Sequence, residues 1–412
     1  MLEPQSTALF VLLIAVFGAL MWRTLTARRA IFRVLAACLV FLPAMVFGVL
    51  AVNKYYDYYQ TWGAMISDLT HQGTDAASHV PGIKFVSSSK SGTLDGSGAE
   101  LKLAQQQGYT LRMPVTGQRS HITRQVYVYL PPQYFQAAYR AYRFPVLELI
   151  HGQPGQPQDW ITVVGVTHAF DHLLAEKLAQ PAVLLMPDAN GGQNISLQCL
   201  NQAGGPQDLT YLAVDLPAQI PHILRVLPPG MAWGVAGYSE GGFCAANMAL
   251  HYPSRYGFAG VLSGYFEPSD NQLAETNRPV SPFGGSISLQ KQNTPLDEIQ
   301  MLPATAVIPR FWLGAGADDT QDVAGTERFW QELQLRQSDI PLTLTPRGGH
   351  TMTTWRAQIP SMLTWMTPGL ARTARNQAAA QPRNTSIARG QARNPLDRAH
   401  SSPPRPPETS KP

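Results

Sequence analysis

Two long apolar runs open the chain, "TALFVLLIAVFGALMW" (Thr7–Trp22) and "VLAACLVFLPAMVFGVLAV" (Val34–Val52), and neither contains a charged side chain. A hydrocarbon layer of about 30 Å, crossed at about 1.5 Å per residue, needs roughly 20 residues. The second run meets that length, and the first meets it with flanking residues. Arg23, Arg28, Arg29 and Arg33 lie between the runs, whereas Glu3 alone is charged ahead of them. Short arginine-rich loops stay cytoplasmic, so the pattern predicts a hairpin whose two ends face outside. Pro43 is tolerated within such a helix. Tyr55, Tyr56, Tyr58, Tyr59 and Trp62 follow, the aromatics expected at a membrane–water boundary. Two leader readings compete: a signal peptide in the first run, which lacks a positive n-region, and cleavage after Val49-Leu50-Ala51. The expectation is an anchored hairpin over residues 1–53.

Residues 54–107 are polar and read as a juxtamembrane segment and linker, loosest in "SSSKSGTLDGSGAE" (Ser87–Glu100). From Gly108 the pattern changes to short β-like runs alternating with helical stretches. "YTLRMPV" (Tyr109–Val115) and "RQVYVYL" (Arg124–Leu130) read as an antiparallel pair. "FPVLELI", "AVLLMP", "AWGVAG", "GFAGVLSG", "RFWLGAG" and "PLTLTP" read as strands of a largely parallel sheet. Helices are expected over Ile161–Gln180, after Gly242, and over Gly325–Gln337. The alternation implies an α/β sheet with helices on both faces, spanning residues 108–369. Glu267–Pro303 interrupts the rhythm and is a candidate cap. Residues 370–412 hold almost no large apolar residues, many Arg and Pro, and read as a disordered basic tail.

Charge and cysteine content sharpen this picture. The overall +4 comes from the ends: residues 1–53 carry +3, residues 370–412 carry +6, and the segment between carries −5. A catalytic face that binds nucleic acid is therefore excluded, while the tail suits anionic envelope polymers or lipid headgroups. Cys38 falls inside the second apolar run. Cys199 and Cys244 are left as an even pair, expected to form a disulfide in an oxidising compartment.

The candidate chemistry centres on Gly237-Tyr238-Ser239-Glu240-Gly241-Gly242. An apolar strand before it and a helix after it make Ser239 the nucleophile of a strand–turn–helix elbow. A serine hydroxyl needs a neighbouring base. His350 in "RGGHTMTTW", after the last strand, is the candidate, with Asp318 or Asp319 after "RFWLGAG" orienting it. The oxyanion needs two preorganised donors: the backbone N–H of Glu240 and that of Gln153 in "HGQPGQPQDW". His151 reads as structural. His168 and His172, four residues apart with Asp171 between, lack a third metal ligand, and the chemistry asks for no metal or cofactor. Asp188, Asn190, Gly191 and Gly192 read as a turn or as pocket lining.

"VYVYLPPQY", "LELIHGQPGQPQDW", "LLMPDANGG", "GYSEGGFCAANMALHYPSRYGFAGVLSG", "LGAGADD" and "GGHTMTTWRAQIP" together resemble the esterase D-like branch of the α/β-hydrolases. That branch includes feruloyl and acetyl-xylan type esterases and is related to secreted mycolyltransferases. The resemblance covers about Gly108 to Gly369. It implies an α/β-hydrolase fold and, by the spacing from Gly316, selects Asp319 over Asp318. It does not reach the hairpin, the tail or the Glu267–Pro303 insertion.

The expectation is a membrane-anchored serine esterase in a bacterial envelope, its catalytic domain outside the cytoplasmic membrane. It would act on a small-molecule, lipid or sugar ester through Ser239, His350 and Asp319. One alternative is an acyltransferase that moves an acyl chain onto an envelope sugar or lipid. Another, of a different class, is a non-catalytic envelope-binding protein on a hydrolase scaffold.

Overall fold

The computed structural model describes residues 3–26, 29–69, 83–85, 98–192, 196–268 and 282–380. Nine strands form one sheet: β1 Ile83–Phe85, β2 Tyr109–Thr116, β3 Thr123–Leu130, β4 Val146–Ile150, β5 Val183–Pro187, β6 Gly230–Tyr238, β7 Tyr256–Leu262, β8 Arg310–Gly316 and β9 Leu342–Thr345. Their order is β1-β2-β3-β5-β4-β6-β7-β8-β9. β2 pairs antiparallel with β3, and β3 antiparallel with β5; the remaining pairings are parallel. β4 and β6 are direct neighbours, with Ile150 opposite Gly237. The loop after β4 and the turn after β6 therefore emerge side by side at the carboxyl end of the sheet.

Strands buried on both faces need apolar residues of both parities, which is why "VLLMP" reads as an unbroken apolar run and "VLELI" as one interrupted only by Glu148. Two cores result. In β4, Val146 and Ile150 face one core, while Leu147 and Leu149 face the other. Each such side chain contributes roughly 1.5–3 kcal/mol when fully buried. The helices that pack on the sheet or precede it include α1 Thr7–Thr26, α2 Ala30–Tyr56, α3 Val166–Ala175, α4 Glu240–His251, α5 Val323–Gln334 and α6 Met352–Ala380, with others such as Trp62–Leu69, Gly98–Gln107 and Leu216–Ile223 between them. Phe243, Cys244 and Met248 of α4 and Phe329 of α5 pack into the first core. Phe170 and Leu173 of α3 and Ile359, Met362 and Met366 of α6 fill the second. Glu148, pointing to the first core, is fully buried and accepts a hydrogen bond from the Tyr256 hydroxyl at 3.0 Å. Burial, partly offset by that bond, raises its carboxyl to about 8, so it is neutral at pH 7.

Three expectations need adjustment. The helix expected over Ile161–Gln180 divides into Asp159–Thr162 and α3, because Gly165 takes the left-handed region at φ 72°. The domain does not stop at Gly369: α6 continues to Ala380, and Leu370, Ala371 and Ala374 are buried, since the apolar spacing persists for another two turns. In the Glu267–Pro303 segment, Ser286 caps a short helix through the N–H of Leu289. The following helix Pro295–Met301 buries Leu296 and Ile299 in the first core, so that half of the segment is packed structure. The proposed tail beyond residue 380 and residues 70–82 and 86–97 of the linker lie outside the described residues.

α1 and α2 have mean hydropathies of 2.1 and 2.6 over windows long enough to cross a membrane. By length and composition they suit a membrane; an N-terminal signal sequence passes the same test. They pack on each other through Phe10 and Phe47, whose ring centroids lie 5.4 Å apart. Val11, Leu12, Phe41 and Leu42 are among the apolar side chains they leave exposed.

Candidate active site

Ser239 is the hinge between β6 and α4, with φ 55° and ψ −123°. A non-glycine residue in that region is strained and needs its surroundings to hold it. The elbow is this tight because glycines let the backbones touch. A Cβ on Gly237 would lie 2.0 Å from the Gly241 carbonyl oxygen, and one on Gly241 would lie 2.1 Å from that of Ile150. The Ser239 N–H donates to the Leu262 carbonyl at 2.9 Å, and the N–H of Gly242 donates to the Ser239 carbonyl at 2.8 Å.

Around this elbow the chain brings together residues far apart in sequence. His350 Nε2 lies 2.9 Å from Ser239 Oγ. Its Nδ1 lies 3.0 Å from Asp319 Oδ2 and 3.0 Å from Asp322 Oδ2. Asp318 is exposed, and its N–H is committed to the Gly348 carbonyl at 2.8 Å. Asp322 is the residue that sequence reading missed. Its signal was present in "DDTQD", where an acid three residues after Asp319 returns to the same side of a tight turn. The Asp322 N–H also donates to Asp319 Oδ1 at 3.3 Å, which ties the two acids together.

The electrostatics follow from this geometry. Burial would lower the His350 pKa, but its hydrogen bonds to Asp319 and Asp322 and the charges of those acids outweigh it and raise the imidazole to about 9. For Asp319 burial acts upward, and the hydrogen bond and charge of His350 outweigh it, leaving the carboxyl below its ordinary value. Trp355 stands edge-on to His350 at 4.9 Å and stacks on Tyr238 at 4.8 Å, so an aromatic wall backs the imidazole. Asp319, Asp322 and His350 also have ligand atoms within 4.8 Å of one another. In its neutral form His350 accepts from Ser239 at Nε2 while Nδ1 carries the proton and donates to the acids, an arrangement suited to a general base.

Gln153 and Glu240, expected as oxyanion donors, lie in the loop after β4 and at the start of α4, next to the elbow. Glu240 is the first residue of α4, where backbone N–H groups project from a helix N-terminus. Its carboxylate turns inward, accepting from the Ser196 hydroxyl and, at 3.2 Å, from the N–H of Gln198. Gln153 lies in the loop after β4, and its Oε1 accepts from Asn190 Nδ2 at 2.7 Å. Asn190 thus braces the loop from the end of β5. Asp188 Oδ1 closes the neighbouring turn by accepting from the N–H groups of Asn190 and Gly191, at 3.0 and 2.7 Å. His151 is buried and structural: its Nε2 accepts from the Ala189 N–H at 3.0 Å, and its Nδ1 lies 2.8 Å from the Gly152 carbonyl. A Cys199–Cys244 disulfide joins the loop after β5 to α4, as the cysteine count suggested. His168 and His172 lie away from this centre on α3; His172 pairs with Glu176, and Asp171 accepts from the Tyr129 hydroxyl.

Residues 118–366 match the Esterase family model, which covers more than half of the chain. The chain belongs to the Esterase family, on its esterase D-like α/β-hydrolase branch. It is 26% identical over 271 residues to an uncharacterized protein of Corynebacterium glutamicum, covering 63% of this chain and 62% of that protein. It is also 26% identical over 180 residues to the diacylglycerol acyltransferase/mycolyltransferase Ag85C of Mycobacterium leprae, covering 37% of this chain and 53% of that one. The chain thus spans less than two thirds of the length of these curated relatives. Among solved structures it is similar to a ferulic acid esterase, with a TM-score of 0.55 at 19% identity, covering 64% of this chain and 99% of that one. An S-formylglutathione hydrolase from Agrobacterium tumefaciens gives 0.51 at 19% identity, covering 64% and 96%. At this identity the structural likenesses carry the fold.

Proposed function

We propose that this member of the Esterase family is a membrane-anchored serine esterase that acts outside the cytoplasmic membrane. The observation that carries the reading is the continuous line of contacts from Ser239 Oγ through both nitrogens of His350 to Asp319 and Asp322. As Ser239 Oγ bonds to the ester carbonyl carbon, its proton passes to His350 Nε2. The carbonyl π electrons move onto oxygen, and the backbone N–H groups of Gln153 and Glu240 stabilise that charge. Collapse breaks the ester C–O bond, the leaving alcohol takes the proton from His350, and an acyl-serine remains. Water, activated by His350, repeats the sequence and releases the acid. Asp319 orients the imidazole throughout and stabilises its charged form.

Placement outside the membrane is supported by the two apolar helices, by the arginines between them and by the disulfide, which suits an oxidising compartment. A second reading replaces water by an alcohol acceptor and makes the protein an acyltransferase. The relative named diacylglycerol acyltransferase/mycolyltransferase favours it. A purely binding role for the scaffold leaves the Ser239–His350–Asp319 alignment without a purpose.

The test is turnover of p-nitrophenyl esters of increasing acyl length, with and without a sugar acceptor. Ser239→Ala should lower kcat by at least ~10⁴-fold, and acceptor dependence separates transfer from hydrolysis. A folded wild-type protein that turns over no ester and resists a fluorophosphonate probe would return the scaffold to the binding role.

A further inference from the structure

The stretch that leaves α2, up to Tyr59, is tied down by hydrogen bonds. α2 ends at Tyr56, and Asp57 reverses the chain in the left-handed region. Asn53, buried in the last turn of α2, holds Tyr59 at both backbone groups: its Oδ1 accepts from the Tyr59 N–H at 2.7 Å, and its Nδ2 donates to the Tyr59 carbonyl at 2.9 Å. Gln5, just before α1, donates to that same carbonyl at 3.2 Å. Lys54 donates to the Gln5 carbonyl at 3.3 Å and to Thr7 Oγ1 at 3.2 Å. The outer ends of both helices are therefore locked to one short stem.

That stem reaches the active-site loop. The Tyr58 hydroxyl donates to Asp159 Oδ2, and the Tyr58 side chain packs against the core cluster that contains Trp160 and Tyr238. Asp159 is buried, and the same Oδ2 accepts from the Gln156 N–H at 2.8 Å. Gly155 folds close above it, since a Cβ there would lie 3.2 Å from Asp159 Oδ2 and 2.7 Å from the Gly152 carbonyl oxygen. Asp159 thus closes the loop His151–Trp160, which carries Gln153, and Tyr58 fastens that loop to the membrane stem. Tyr55 and Tyr56, exposed in the last turn of α2, mark the interfacial level two or three residues away. Gln153 and Ser239 stand at the same end of the sheet as this contact.

We propose that the Tyr58–Asp159 contact holds the catalytic domain with its oxyanion loop against the lipid bilayer, so that the site draws its ester from the membrane surface. The proposal rests on the anchored-esterase reading and adds the orientation of the domain and the phase that supplies substrate: an amphiphilic ester whose acyl chain lies in the outer half of the bilayer. A domain on a slack tether would sample aqueous esters equally well. A stem pinned at Tyr58 and Tyr59 removes that freedom.

The test uses the full chain with Cys38→Ser, reconstituted into phosphatidylethanolamine/phosphatidylglycerol vesicles that contain nitroxide-bearing lipid. A fluorophore is placed at Thr162→Cys, exposed beside the loop, or at Met231→Cys, exposed at the opposite end of the sheet. The label at position 162 should be quenched more strongly than the label at 231, and Tyr58→Phe should narrow the difference. Tyr58→Phe keeps the ring and removes only the hydroxyl. It should lower turnover of a vesicle-borne long-chain ester by about tenfold relative to dissolved p-nitrophenyl acetate, the scale of one charge-assisted hydrogen bond. Equal quenching in vesicles that carry the protein, or a Tyr58→Phe variant with unchanged quenching and ester ratio, overturns the orientation while leaving the anchored esterase intact. Protein that fails to float with the vesicles overturns the anchoring as well, and fluorophosphonate labelling reports separately on the nucleophile.

Discussion

Ser239 carries an unfavourable backbone conformation because the glycines at 237 and 241 permit the turn and leave no slack around it. His350 meets two carboxylates at one nitrogen, which sets the pH behaviour. The imidazole must be neutral to accept the serine proton, so a pKa raised to about 9 places the rise of kcat/KM on the alkaline side of the ordinary value of 6.5. Asp322→Asn removes one of the two negative partners and should shift that limb down by about one pH unit. Asp319→Asn should instead lower kcat on the order of 10⁴-fold, because the buried acid fixes the tautomer. A pH–rate profile of each variant checks both, and an unmoved limb in Asp322→Asn removes Asp322 from the base's environment. The same shift has a sign for folding. Pairing of charged His350 with these acids stabilises the fold fully below the unfolded-state pKa near 6.5 and is lost as pH rises through about 9.

At the level of elements, α4 and the loop after β5 act as one unit. The disulfide between Cys199 and Cys244 joins them, and the Glu240 carboxylate joins them again through Ser196 and Gln198. The loop after β4 is held to the same region by Asn190, so Gln153 and Glu240, the proposed oxyanion donors, both rest on the β5 connection. Replacing both cysteines by alanine opens a covalent link across 45 residues of sequence. It should cost about 2–4 kcal/mol of unfolding free energy, read from the denaturant midpoint, and reducing agent should lower the wild-type midpoint by a similar amount. A midpoint insensitive to reduction would mean that the bridge contributes nothing to holding this unit.

Across the whole molecule, two kinds of apolar surface coexist. The sheet buries its apolar residues in two cores, whereas α1 and α2, packed on each other, leave many of theirs outward. Water does not tolerate so large an exposed apolar patch, and a bilayer does. The full chain should therefore float with lipid vesicles. A chain that begins at Asp57 should stay in the aqueous fraction and still react with a fluorophosphonate, because both cores lie beyond the hairpin. Loss of labelling in the shortened chain would show that the helices also support the catalytic fold.

The hydrophobic pattern alone gave the two apolar N-terminal helices, the strand–helix alternation and the apolar character of β4 to β8, the last because burial on both faces leaves a direct mark on residue choice. Ser239 and His350, which the fold brings within 2.9 Å of each other, stood out for a related reason: glycines lie on both sides of Ser239 and directly before His350, and a turn that tight selects glycine over almost every other residue. Asp322 was not legible as a second partner of His350. Its position depends on how the chain turns after β8, and several acids in one loop look alike until that turn is made. Gly165 breaking a helix, α6 running on to Ala380, and Asn190 bracing Gln153 likewise depend on neighbours supplied by distant segments. The same is true of Tyr58. The sequence marks it as an interfacial aromatic, and only tertiary packing brings its hydroxyl to Asp159, because a hydrogen bond across a hundred residues leaves no local pattern.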